Sequence, residues 1–245
     1  MRGKSLRIAT WNIASNKNFS AIASRMAELD IDICAMQEVS FDPMADLPAM
    51  FGHVDRSAAD YDWHFMPALT PEQLGGGKFE YYGLGLLSRI PLYRTAAFQL
   101  EPKNVGPILN VENEPRILQI ATPKSAKPIL IANTHLAATY DWSMSAVRRL
   151  QVEDIANILR SCAKNETLIL CGDFNTAPSS SDLTKLREVL PYIYSSNEST
   201  YVKDPSRPPI DFFFCSAPLD VQISIYPSNG LSDHNIVVAT LDGEL

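Results

Sequence analysis

The sequence predicts an α/β protein in which two mainly antiparallel β-sheets pack face to face and helices cover their outer surfaces. Two observations lead there. Short apolar runs rich in Ile, Leu, Val and Phe, punctuated by polar turns, recur along the whole chain as strands. Helical periodicity intervenes only at intervals, unlike the regular strand–helix alternation of a doubly wound parallel sheet.

The strand-type runs are Leu6–Ile13, Ile31–Gln37, Trp63–Pro67, Gly83–Ser88, Leu92–Leu100, Arg116–Ala121, Pro128–Thr134, Thr167–Cys171, Asp211–Cys215, Val221–Tyr226 and Ile236–Thr240. Two segments carry the i, i+3, i+4 stripe of a core-packed helix. Phe19–Leu29 sets Ile22, Met26 and Leu29 on one face, and Ser143–Cys162 sets Val147, Leu150, Ile155, Ile158 and Leu159 on another. A weaker third helix follows from Ser181 to about Val189. The stretch 70–78, with three consecutive glycines, reads as a mobile loop, and 195–209 as an irregular polar one. Strand pattern resumes directly after each, so neither is a linker and residues 1–245 form a single domain. At 245 residues, 46% of them hydrophobic, the chain can bury a full core and stays within the roughly 200–250 residues that layered single domains reach.

The formal net charge of −7 and the absence of any Lys/Arg run longer than Arg148-Arg149 argue against tight nonspecific binding to nucleic-acid backbones. A metal ion in a cleft can still attract phosphate without help from net charge. Cys34, Cys162, Cys171 and Cys215 form no CxxC pair and no Cys/His cluster. They are expected to be reduced, mostly buried thiols and neither a zinc site nor a disulfide framework. The apolar stretch of the N-terminal MRGKSLRIATWNI is too short and polar for a signal peptide. No apolar run approaches the ~20 residues that span a membrane, so a cytoplasmic protein is expected, with no membrane span and no obligate protein partner.

The chemistry sits at the strand ends. Apolar runs terminate in Asn12, Glu38, His135, Asp173 with Asn175, and Asp211, while Asp233 and His234 stand just before the final strand. Burying a carboxylate or imidazole costs several kcal/mol unless it is paired or bound to a cation. One such residue could be a satisfied core group, but their recurrence asks for a shared site at one edge of the sheets. Oxygen ligands suit Mg²⁺ or Mn²⁺, with Glu38 and Asn12 as the first pair. A histidine is the natural base near neutral pH and needs a carboxylate on its other ring nitrogen, a role that fits Asp211 towards His234.

The ordered set TWNI, QE, NTHL, GDFN, IDFFF and SDH, spread from about residue 6 to residue 241, resembles the endonuclease/exonuclease/phosphatase superfamily, which includes pancreatic deoxyribonuclease, apurinic endonucleases, bacterial sphingomyelinases and inositol polyphosphate 5-phosphatases. The resemblance implies a four-layer sandwich and metal-dependent hydrolysis of a phosphodiester or phosphomonoester by activated water. It implies that Glu38 binds the catalytic metal with Asn12 helping to hold it, and that Asp233 sits near the metal. It places Asp173 and Asn175 on the attacking water and phosphate oxygens. His234 acts on the nucleophile or scissile phosphate, oriented by Asp211, and either His234 or Asp173 is the base. His135 stabilises phosphoryl charge or assists the leaving group.

The chain departs from the family pattern in places. Ala14 stands where some members have a ligating Asp, and Tyr82, with Glu80 before it, lies near the place of the Glu that pairs with the NTH histidine in nucleases. IDY has become IDF at Phe212. The segment GLGLLSRIPL resembles one in bacterial metal-dependent hydrolases. Its Gly83 and Gly85 suggest close backbone approach, and Arg89 reads as structural. Arg148 and Gln151 read as packing or loop-tethering residues. His53 and His64 lie outside every motif, and Glu153, Asp154 and Arg160 read as a solvated helix face. Tyr81, Tyr82, Tyr140 and Trp142 either anchor loops or stack on a base or lipid-like substrate. The expected partner is a phosphoester substrate, with nucleic acid among the candidates. The rival reading is a catalytically silent binding module, disfavoured because Glu38, Asp173, Asn175, Asp211, Asp233 and His234 are all present.

Overall fold

The first strand, β1 (Leu6–Asn12), is buried at every position but Arg7, the pattern of a strand covered on both faces. In the computed structural model the described residues are 5–42, 61–70, 73, 80–103, 114–125, 127–139, 141, 143–162 and 165–242. After β1 come α1 (Phe19–Glu28), β2 (Ile33–Phe41), β3 (Asp62–Leu69), β4 (Tyr81–Ser88) and β5 (Leu92–Gln99). Then follow β6 (Ile117–Pro123), β7 (Ile129–His135), α2 (Ala146–Cys162) and β8 (Thr167–Asp173). A 3₁₀ turn (Ser181–Leu183), α3 (Thr184–Arg187), β9 (Tyr192–Tyr194), β10 (Asp211–Cys215), β11 (Val221–Tyr226) and β12 (Ile236–Leu241) complete the described elements.

One sheet has the order β11-β12-β1-β2-β4-β3 and the other β5-β6-β7-β8-β10-β9. Neighbours are antiparallel except β1 with β2 and β7 with β8. The inner faces meet in a core of Ile8, Ile33, Leu86, Ile131, Ile169, Phe213 and Val237. The outer face of the first sheet packs on Phe19, Ile22 and Met26 of α1. That of the second packs on Val152, Ile155 and Leu159 of α2 and Leu186 of α3. Helix, sheet, sheet and helix make the four layers. Phe212 stacks on Phe174 at 4.3 Å between ring centroids, so the change from tyrosine serves packing.

Several boundaries differ from expectation. β2 runs on to Phe41 and does not stop at Gln37; its register with β4 shifts between Met36 and Val39, a β-bulge that hid the continuation. β9 was unpredicted, being only three residues long. The third helix is one 3₁₀ turn and a four-residue α segment. Leu150 is half exposed, and the inner face of α2 carries Arg148 and Gln151 where aliphatic residues were expected. Asp154 is not simply solvated, because it accepts the Glu101 backbone N–H. His64 is a strand residue of β3 at the edge of the core, while His53, Tyr140 and Trp142 and most of the glycine loop lie outside the described residues.

Polar groups also cross between the sheets. Asn133 Nδ2 donates to Met36 O and Gly85 O, and Gln37 Nε2 donates to Asn133 Oδ1 at 2.8 Å and to Thr10 Oγ1. Gln119 accepts from Asn133 and donates to His64 O. A buried amide network is costly if broken, so it fixes which residue of one sheet faces which of the other.

At the end of β8, Gly172 takes φ of +152°, and a Cβ there would lie 2.0 Å from Thr134 O on β7. Gly172→Ala is expected to cost about 3 kcal/mol or more, from overpacking plus backbone strain. Chemical denaturation checks it; an unchanged midpoint would mean that the β7–β8 pair yields easily.

Candidate active site

Parallel pairing brings strand ends together. β1 ends beside β2, with Asn12 opposite Gln37. β7 and β8 finish with His135 opposite Asp173, and Asp211 at the start of antiparallel β10 is also opposite Asp173. Glu38 follows Gln37 within the bulge at φ +55°, an unusual conformation for a non-glycine residue. The bulge re-aims its side chain: Glu38 lines the same cleft as His135, Asp173, Asn175, Asp233 and His234. That cleft holds about 250 Å³. Asn12 Nδ2 bridges its floor, donating to Glu38 Oε1 at 2.9 Å and to Asp173 Oδ2 at 3.1 Å. Ala14, the departure noted above, donates its backbone N–H to Asn12 Oδ1 and so turns the amide towards both carboxylates.

The last strand delivers the histidine. His234 Nδ1 lies 2.9 Å from Asp211 Oδ2 and its Nε2 3.9 Å from Asp173 Oδ2. Its backbone is held by Ser232 Oγ, by Trp11 Nε1 on its carbonyl, and by pairing of Tyr201 across from it. Thr200 Oγ1 accepts the N–H groups of Ile210 and Asp211, fixing the start of β10. Asn175, at φ +49°, donates Nδ2 to Leu136 O while its N–H binds Asp173 Oδ1. Asp233 lies on the cleft wall in an ion pair with Lys203 at 2.6 Å. All eight residues singled out in the sequence therefore converge at one end of the sandwich, Asn12 and Asp211 just behind the lining.

Burial and the negative charge of Asp211 push the Asp173 carboxyl up to about 7, against the opposing pull of His234 and the Asn12 hydrogen bond. Burial disfavours charge on His234, but Asp211, Asp173 and Asp233 outweigh it and raise the imidazole to about 10. Burial, Arg116 and His234 hold His135 well below its ordinary value. Glu38, Asp173 and Asp233 are hard oxygen donors sharing one cleft, the donor type that suits Mg²⁺ or Mn²⁺ rather than zinc. Ligand atoms of Asp173, Asp211 and His234 also lie within 4.8 Å of one another. Asp211 and His234 are already committed to each other, so the Glu38 side of Asp173 is the better place for a cation. Asn12 turns its Nδ2 towards the Glu38 and Asp173 carboxylates, and its Oδ1 accepts the Ala14 N–H.

Sequence reasoning missed Arg116, Glu114 and Tyr201, which line the cleft together with Tyr82. Arg116 is 4% exposed, an unusual setting for a guanidinium, and its place at the head of a buried strand was the available signal. Glu80 pairs with Lys17 and not with His135. Arg148 and Gln151 tether the loop after His135: Arg148 Nε donates to Ala137 O, and Gln151 Oε1 accepts the Ala137 N–H. Asp182, also missed, holds Arg148 at 3.1 Å with both side chains fully buried. Arg89 is structural, bonded to Asp30 and stacked over Tyr61. Gly83 abuts the β3 backbone, whereas Gly85 meets only side chains of Met36 and Val39.

Among the described residues no helix is long and apolar enough to cross a membrane. No curated protein matches the chain. An endonuclease/exonuclease/phosphatase from Bacteroides vulgatus is 21% identical over 98% of this chain and 99% of its own, with a TM-score of 0.70. The human Nocturnin catalytic domain, solved with bound sulfate, is 21% identical over 99% and 94%, with a TM-score of 0.71. A mannosyl-6-phosphatase of Bacteroides thetaiotaomicron is 18% identical over 98% and 100%, with a TM-score of 0.67. These likenesses show a shared fold, and a family model matches residues 9–234: the chain belongs to the Endonuclease/Exonuclease/phosphatase family.

Proposed function

We propose that the chain is a Mg²⁺- or Mn²⁺-dependent phosphoesterase that hydrolyses a phosphodiester or phosphomonoester with an activated water. The observation that carries this reading is the gathering of Glu38, Asp173, Asn175, Asp233, His135 and His234 around one cleft of about 250 Å³. Glu38 and Asp233 would hold the metal, with Asn12 positioning Glu38. A divalent ion there supplies positive charge that polarises a phosphoryl oxygen and acidifies bound water. The protein's own part is proton handling. Asp173 and His234 face each other with pKa values displaced towards and above neutrality, so the pair can take up the proton that a water gives up as it attacks. Asp211 fixes the imidazole ring, and Asn175 braces Asp173 through its backbone N–H. Two relatives' names fit the class: a mannosyl-6-phosphatase and a Nocturnin domain holding sulfate, a phosphate-like anion.

The test is hydrolysis of bis-p-nitrophenyl phosphate and p-nitrophenyl phosphate by the full chain, after chelation and after adding Mg²⁺ or Mn²⁺. Turnover should vanish on chelation and return with the metal. Silence with both esters and with DNA, RNA, inositol phosphates and phospholipids would sink the reading and favour a binding module.

A further inference from the structure

Arg116 approaches His135 from the side away from Asp173. Its Nη1 lies 2.6 Å from His135 Nδ1, its Nη2 lies 2.8 Å from Glu114 Oε2, and both Arg116 and His135 are buried. An arginine side chain can only donate hydrogen bonds. At 2.6 Å from a guanidinium N–H, Nδ1 must therefore present its lone pair, and the ring proton must reside on Nε2. That nitrogen is the one turned to the cleft, 3.6 Å from Asp173 Oδ2. A carboxylate partner, as at His234 with Asp211, has the opposite polarity: it accepts from Nδ1–H and supports an imidazolium. The two histidines of this cleft are thus wired in opposite senses.

We propose that Arg116 is a positioning residue that locks His135 as a neutral ring with its proton on Nε2. His135 is then a fixed hydrogen-bond donor to a phosphoryl oxygen and cannot protonate the leaving group. To become an imidazolium, His135 would have to place an N–H against the guanidinium N–H of Arg116, two donors meeting with no acceptor between them. Glu114 balances the guanidinium charge from its far side and keeps the fork aimed at the ring. The low proton affinity of His135, caused by burial first and then by Arg116 and His234, agrees with this geometry. The assignment of a phosphoryl contact rests on the phosphoesterase reading; the tautomer does not.

The experiment is a long-range proton–nitrogen NMR correlation spectrum of the full chain with labelled histidine, with the His135 signals identified by their loss in His135→Gln. A neutral ring protonated at Nε2 is expected from about pH 5 to about pH 8, where an ordinary histidine changes charge. In Arg116→Gln, whose amide can also accept, a population protonated at Nδ1 should appear, and kcat should fall on the order of 10–100-fold, as when a tautomer-fixing partner is lost. Arg116→Lys, still a donor, should keep the Nε2–H form and recover much of the rate. A wild-type ring protonated at Nδ1, or an imidazolium in that range, would overturn the proposal whether or not any variant folds. So would an Arg116→Gln protein that loses turnover with the tautomer unchanged. If the spectrum is as expected but no phosphoester is hydrolysed, the functional reading fails and the tautomer lock stands.

Discussion

Asp211→Asn is expected to lower kcat by about 10²–10⁴-fold, the usual worth of a positioned proton-transfer group, with little change in melting temperature. Asparagine keeps the shape of the side chain but removes the charge that raises His234 to about 10, so the imidazole and Asp173 no longer act as a pair. Two effects on stability oppose each other. The substitution breaks a buried ion pair at 2.9 Å, and it also relieves repulsion between Asp211 and Asp173, adjacent across β8 and β10. Steady-state kinetics with parallel melts decide the matter; a large loss of stability would recast Asp211 as a structural residue.

The pH dependence of stability has a definite sign. Asp173 rises from an ordinary 3.8 to about 7 and His234 from 6.5 to about 10 in the folded chain. Both bind protons more tightly folded than unfolded, so each contribution is full below its ordinary value and is lost as pH rises through the folded one. Metal-free wild type should therefore lose stability from about pH 4 towards pH 10, through Asp173 up to about 7 and through His234 above about 6.5, and Asp211→Asn should lose much less over that span. Denaturation midpoints across the range check the slope, and equal slopes would count against the ion pair.

The second large effect is expected from Glu38→Gln. The amide keeps an oxygen for the Asn12 hydrogen bond, now 2.9 Å, and the same backbone at the bulge, so the cleft should hold its shape. What disappears is a negative charge on the wall that would hold the metal. Activity at fixed Mg²⁺ should drop on the order of 10²-fold or more, since a metal's charge stabilisation amounts to several kcal/mol, and the Mg²⁺ needed for half-maximal rate should rise. Calorimetric titration of Mg²⁺ into both proteins gives the same information without turnover. Equal affinities would remove Glu38 from the metal site.

The sandwich was legible because its central strands are apolar almost throughout, and the site because polar residues interrupt those runs where parallel pairs end, at Asn12, His135 and Asp173. The unread parts have local causes. Glu38 looked like a strand end because the bulge disturbs alternation just there, although pairing with β4 continues to Phe41. Leu150 fitted the stripe of α2, but the buried Arg148–Asp182 pair rotates the inner face towards polar residues, and a periodicity of apolar residues cannot register a buried ion pair. The partner of His135 was sought among upstream carboxylates near Tyr82. It is a cation nineteen residues upstream of the histidine, just ahead of the neighbouring strand β6, a separation that no local motif encodes.

The order in which the site's parts leave the ribosome has a consequence of its own. Asn12 and Glu38 are made first, His135 and Asp173 midway, and His234 only just before β12, which returns to lie against β1 with Leu241 beside Leu6. Until that final strand docks, β1 has an unpaired edge, and the histidine that Asp211 orients is absent. A chain lacking residues 234–245 would thus expose an unpaired strand edge next to carboxylates without His234 beside them, and closure across so long a stretch of sequence is intrinsically slow. The residues of the cleft would come together in a single late step, once β12 has docked against β1.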